Sequence, residues 1–314
     1  MSPLTSVQAH TLRELMGVGA IPAHDQGLIR EARVRLDSAL DGILPAGPAE
    51  PLWLSKGALT DAQRCEGLFA ARLGGEGPAF VHSERSAAGS LFHRCIEVDV
   101  GSRGRADVWE VATRAAERLA RDDRAFAAHW HATDELDRSG LLADAARNVE
   151  LFRASFPPLG PGGHAVPLPE LRLRAPVAGG RVVLTGRVDL LLVLASEASG
   201  VEPNRLAIDL KSGAAHPEHA EDMRLYALLI GLRYGTPPVR VATVFLESGQ
   251  WQSEDVTERT LGRAVDRVVE AAAAWARLSG VGAAPELRPG PHCGWCPRRA
   301  GCPAAEAAAV VAAT

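Results

Sequence analysis

Residues 181–213, RVVLTGRVDLLLVLASEASGVEPNRLAIDLKSG, decide how the chain is read. They read as two strands joined by a polar turn. The first carries Asp189 after Gly-Arg-Val, and the second carries Asp209 and Lys211 in Ile-Asp-Leu-Lys. Side chains at i and i+2 of a strand share a face, so Asp209 and Lys211 project together while Leu210 points into the core. Pairing of the strands brings Asp189 to the same place. Two carboxylates and an ammonium then converge beside apolar runs, LLLVLA at 190–195 and LAI at 206–208. Charges against such strands need partners or a metal. A hard divalent cation with a nearby nucleophilic water would use this set of groups. A solvated strand face would also explain a bare Asp-x-Lys, but it would not explain the apolar flanks.

Outward from this stretch the pattern is mixed. ELRLRAP (170–176) predicts a strand before it, opened by Glu170, an accessory acid if it reaches the active face. After it come a helix at 217–235 with Asp222 and Tyr226, an alternating strand at 239–247, and a long helix at 260–278. Upstream, SFPPLGPGGHAVPLP (155–169) is dense in Pro and Gly and predicts a linker. Before that linker, amphipathic spacing predicts helices in 12–16, 28–44, 59–73, 108–130 and 134–156. Helices followed by β-β-β-α-β give a mixed α/β core with a largely helical N-terminal half. The expected divisions are a helical segment 1–58, a helical region 59–165 with Cys65 and His93, a core 166–284, a cysteine cap 285–305 and a tail 306–314.

The chain has 314 residues, a net charge of -4 and a pI near 6.2, so any nucleic-acid partner must be held by a local patch or through metal ions. No basic segment followed by an apolar run opens the sequence, and no apolar run reaches membrane-spanning length, which gives a cytoplasmic expectation and no membrane. No Walker motif is present.

Of five cysteines, three fall in Cys293-x2-Cys296-x5-Cys302, a metal-binding spacing in a reducing compartment. Three thiolates need a further ligand for a tetrahedral zinc or an iron–sulfur cluster. His292, Cys65 and Cys95 are the candidates, although Cys95 beside Ile96 reads as a plain buried thiol.

Together these residues resemble the PD-(D/E)XK nuclease superfamily, in particular its RecB-like iron–sulfur branch. That branch includes the nuclease domain of AddB and the CRISPR-adaptation exonucleases. The elements come in order: Cys65, Gly-x-x-x-His in GSLFH (89–93), Gly-Arg-Val-Asp, Ile-Asp-x-Lys, a helix with Tyr226, and the C-terminal cysteines followed by Pro303. The resemblance implies a restriction-endonuclease-like core and a nuclease, of exonuclease or end-processing type, acting on DNA. By the same resemblance His93, Asp189, Asp209 and the Leu210 carbonyl hold Mg2+ or Mn2+, while Lys211 acts on the attacking water and the phosphate, with Tyr226 completing the site. Cys65, Cys293, Cys296 and Cys302 ligate a four-iron–four-sulfur (4Fe-4S) cluster, with zinc as the alternative. The chain departs from the family pattern at two positions: Asp222 stands where Gln is usual before the Tyr, and Glu66 stands where Pro often follows the Cys. Asp222 would pair with Lys211, hold a second metal, weaken catalysis toward a DNA-binding scaffold, or face solvent. Trp295 is expected to pack over the cysteine site. A separate helicase, repair or CRISPR partner would present the DNA.

Overall fold

The structure, a computed structural model, describes residues 4–16, 26–45, 50–157, 159, 165–194, 204–211, 218–280 and 282–312. The polar turn between the two decisive strands and residues 158 and 160–164 of the Pro/Gly linker lie outside these residues.

A six-stranded mixed sheet forms the centre. Its strands are β1 (Leu52–Ser55), β2 (Ala165–Val177), β3 (Val182–Leu194), β4 (Arg205–Lys211), β5 (Arg240–Phe245) and β6 (Gln250–Asp255). β3 is the spine. One edge pairs antiparallel with β2 along most of its length, from Val177↔Val182 to Ala165↔Leu194. The other edge is shared: β1 runs parallel to residues 182–185 and β4 antiparallel to residues 190–193. β1 and β4 therefore approach head-on along one edge and leave residues 186–189, Gly-Arg-Val-Asp, between them. β4 continues beside β5, and β6 closes the far edge.

Helices cover the sheet. α2 (Gln26–Ile43), α3 (Lys56–Arg64), α9 (Glu218–Tyr234) and α10 (Glu258–Gly280) contribute to one core that includes Leu54, Leu184, Leu191 and Leu229. A second core joins Phe92 and Ile96 of α5 (Glu84–Ser102) and Phe152 of α8 (Glu135–Ser155) to Leu190, Ile208 and Leu210. α5 and α8 meet α6 (Val108–Asp122) and α7 (Arg124–Ala132) in a third, all-helical core. Leu210 is fully buried, so strand alternation turns Asp209 and Lys211 away from it. The remaining helices are α1 (Ser6–Met16), α4 (Glu66–Leu73) and α11 (Pro303–Ala312). Among the described residues no helix is long and apolar enough to cross a membrane.

This is the mixed α/β, restriction-endonuclease-like core expected from the sequence, with differences of extent. The expected helices 59–73 and 108–130 are each two, broken where Cys65 and Asp123 adopt extended backbone. β2 begins at Ala165, inside the predicted linker, because Pro167 and Pro169 sit on a strand with only β3 as partner. Glu170 is consequently within β2 rather than at its start. The four-residue β1 and the polar β6 are strands that periodicity does not reveal, and residues 306–312 of the expected tail belong to α11.

Candidate active site

Three elements deliver acids and a base to the gap in the edge of β3. β3 itself brings Asp189, whose carboxylate accepts a hydrogen bond of 2.9 Å from the Leu210 N–H. The β3–β4 register ends at Leu190↔Ile208, so this side-chain bond stands where ladder pairing stops. β2 brings Glu170 by a local kink. Leu171 pairs with Val188 and Pro169 with Leu190, while Glu170 adopts a positive φ of 51°. A non-glycine residue in that region is uncommon, and in a strand it re-aims its side chain. α5 brings His93. That helix starts at a Ser83 capping box with Ser86 and is wedged between two cores by Phe92 and Ile96 on one side and Leu91 and Cys95 on the other.

His93 Nδ1 lies 3.5 Å from a Glu170 oxygen and 3.6 Å from an Asp189 oxygen. It is buried and has no hydrogen-bond partner. One donor atom from each of the three residues falls within 4.8 Å of the others. A buried nitrogen without a partner is costly unless something sits beside it. An imidazole facing two carboxylate oxygens is the donor set of a divalent cation. Burial drives the His93 pKa down to about 4, against the pull of Glu170, so the ring is neutral and able to ligate. The residues fit a metal.

Asp209 and Lys211 form a 2.7 Å ion pair next to this set. Burial works against the Asp209 charge, but Lys211 and Lys56 outweigh it and hold the carboxyl below its usual range. Asp189 goes the other way. Burial and then the neighbouring Asp209 charge push it up to about 7. Two close acids have divided one environment, and Lys211 favours ionisation of the acid it touches. Arg187, two residues before Asp189, pairs with Glu170 at 3.0 Å.

The PD-(D/E)XK nuclease superfamily model matches residues 54–303. The chain belongs to that superfamily. Among solved structures, one titled "Crystal structure of SSO0001" aligns over 89% of this chain and 98% of its own, at 14% identity and a TM-score of 0.31. That global likeness is too distant to carry weight. No curated protein matches.

The PD-(D/E)XK core places Tyr226 on α9 against Gly186, where a Cβ would lie 3.0 Å from the ring. Burial raises the Tyr226 pKa, with the Asp189 and Asp209 charges adding to it, so the phenol stays protonated. Asp222, one turn earlier, neither meets Lys211 nor faces solvent. It pairs with Lys56 at 3.4 Å and with Arg267 at 3.3 Å. Sequence reading missed Lys56, Arg187 and Arg267. Lys56 had one signal, its place directly after an N-cap serine, Ser55, in LWLSK.

At the other end of the PD-(D/E)XK match, Cys65, Cys293, Cys296 and Cys302 line one cavity of about 500 Å³. Among the described residues no three cysteine or histidine donors there come within 4.8 Å of one another. The His292 ring nitrogen Nε2 is 2.9 Å from the Arg288 carbonyl, while Cys95 is buried in the helical core. Glu66 braces the cap: its carboxylate accepts from the Glu286 N–H at 2.7 Å and pairs with Arg277, and the Glu66 N–H donates to the Glu286 carbonyl. Trp295 does not line the cavity. It is half exposed, with the Arg64 guanidinium 5.9 Å from its ring centre. Arg288 and Arg298 of the cap are engaged by Glu286 and Glu76.

Proposed function

We propose that this chain is a metal-dependent deoxyribonuclease of the RecB-like iron–sulfur type that processes DNA ends or single strands. The observation that carries this is the partnerless His93 Nδ1 between the Glu170 and Asp189 carboxylates, beside the Asp209–Lys211 pair. His93, Asp189, Asp209 and the Leu210 carbonyl would hold Mg2+ or Mn2+, with Glu170 as an accessory acid. When bound, the cation polarises the phosphodiester and lowers the pKa of a water.

The protein's own groups do the rest. Lys211, fixed by Asp209, orients the attacking water and donates to the phosphoryl oxygens as negative charge grows on them. Water adds to phosphorus, a P–O ester bond breaks, and the leaving oxygen takes a proton. Tyr226 shields the Asp189–Asp209 pair from the α9 side. Residues 166–284 bear most of this chemistry with His93 joining from α5, and 285–305 close the cluster site together with Cys65.

The four thiols would hold a 4Fe-4S cluster. A single zinc with bonds of about 2.3 Å draws its ligands around one point. A larger group suits a 500 Å³ cavity lined by all four. In a reducing cytoplasm the thiols would stay free to serve as ligands. Strand opening would come from a separate motor or a repair or CRISPR-adaptation partner.

The test is cleavage of end-labelled single- and double-stranded DNA by protein purified without oxygen, with Mg2+ or Mn2+. Wild type should cut and Lys211→Ala should lose about 100-fold or more. Tight binding with no cleavage under any metal would leave a DNA-binding scaffold instead.

A further inference from the structure

The head-on approach of β1 and β4 gives the gap two ends. Asp209 and Lys211 stand at the β4 end. At the β1 end the last paired residue is Ser55, opposite Thr185, and the next residue is Lys56. Lys56 lies over Tyr226 at 5.9 Å from the ring centre and contacts Asp222.

We propose that Lys56 is a second phosphate-binding cation of this site, holding a phosphodiester of the bound strand from the end of the gap opposite Lys211. The assignment rests on the nuclease reading and adds a substrate contact to it.

Charge argues for it first. Asp222 is already matched on its buried side by Arg267, whose side chain is 2% exposed and is tied further to Thr60 at 2.8 Å. Lys56 is therefore surplus to the neutralisation of Asp222, and the trio carries one net positive charge. Of the acids at the gap, Asp209 is matched by Lys211 and Glu170 by Arg187, so Asp189 is the acid left over when ionised, and a further cation at the gap offsets its repulsion of a polyanion.

Freedom argues for it second. The Lys56–Asp222 separation of 3.4 Å is loose beside the 2.7 Å of Lys211–Asp209. An ammonium has three donors, and this contact occupies at most one. The Lys56 side chain is 37% exposed, against 2% for that of Arg267. Burial opposes its charge, but Asp222, Asp209 and Asp189 outweigh that and keep it protonated. A compact, strongly charged ammonium with spare donors is a phosphate ligand.

The test measures binding of a fluorescent single-stranded oligonucleotide to the full chain, without divalent metal, across a salt series. Lys56→Gln, Lys56→Arg and the double variant Lys56→Gln/Asp222→Asn are compared with wild type. Loss of one single-strand phosphate contact lowers the log–log salt slope by about 0.7, or about fivefold in affinity near 0.1 M salt. Lys56→Gln should show this loss, and Lys56→Arg should keep the wild-type slope. Under Mn2+, Lys56→Gln should raise KM more than it lowers kcat.

The double variant separates contact from mere charge balance. If Lys56 only neutralises Asp222, removing both charges restores wild-type binding and the proposal falls. If Lys56 holds phosphate, the double variant stays as weak as Lys56→Gln. A wild type that cuts DNA in a Lys211-dependent way, while Lys56→Gln binds with unchanged slope, overturns the Lys56 assignment alone. A wild type that neither binds nor cuts DNA removes the nuclease reading and this assignment with it.

Discussion

At the scale of single residues, the site is a set of buried groups whose protonation is tuned in opposite directions. Asp189 has a folded-state pKa near 7, far above that of an unfolded aspartate. Its protonated form favours the fold below the unfolded value, and that contribution is lost as pH rises through 7. His93 has a folded value near 4, below the ordinary imidazole. Its contribution is present above the unfolded value near 6.5 and is lost as pH falls through 4. A cation competing for Asp189 must displace its proton below pH 7, so apparent affinity for Mn2+ should fall about tenfold per pH unit there. Thermal denaturation with and without Mn2+ should show a larger stabilisation at pH 8 than at pH 6, and Asp189→Asn should abolish most of it. Equal stabilisation at both pH values would remove Asp189 from the metal site. The acids and lysine of this site were legible because strand alternation forces Asp209 and Lys211 onto one face within a single short motif. Arg267 was not, and Lys56 had only its place after an N-cap serine, since both meet Asp222 only after three helices have packed.

At the scale of elements, the gap in the edge of β3 depends on a close approach. Gly186 opens the Gly-Arg-Val-Asp segment, paired with β2 on one edge and left between β1 and β4 on the other, and α9 lies directly on it. A Cβ at position 186 would stand 2.7 Å from Leu229 Cδ1 and 3.0 Å from the Tyr226 ring, both in a packed core. Gly186→Ala should therefore cost about 1–3 kcal/mol by overpacking and displace Tyr226 from the acids. A chemical denaturation midpoint, read with cleavage rate, checks both. An unchanged midpoint would mean that α9 yields freely and does not set the geometry of the gap. The strands around this glycine were readable where apolar runs are long, as in β3 and β4. β1 has only four residues, and β6 is polar because it is an exposed edge, so neither produces a period. The gap itself is a consequence of where β1 ends, which no single stretch of sequence encodes.

At the scale of the whole molecule, the C-terminal cap is fastened to the N-terminal helices twice. The first fastening is polar: Glu66 ties to Glu286 and Arg277, and Arg288 donates to the Gln63 carbonyl at 2.6 Å. The second is the proposed cluster across the cavity from Cys65 to the C-terminal trio. These can be broken separately. Cys65→Ser should lose iron and visible colour while the polar clasp still holds the cap, so proteolysis of 285–305 should rise only modestly. Glu66→Gln keeps the shape but weakens charge-assisted bonds whose loss costs about 1–3 kcal/mol, and it should expose the cap to protease while iron remains in the undigested protein. Metal analysis of both variants, beside limited proteolysis, decides between the two ways of closing the cysteine site. A zinc held locally by His292 and the trio would survive Cys65→Ser with its metal content unchanged. Iron lost from that variant would make Cys65 the fourth ligand, and the cluster a second bond, beside the polar clasp, between segments far apart in the sequence.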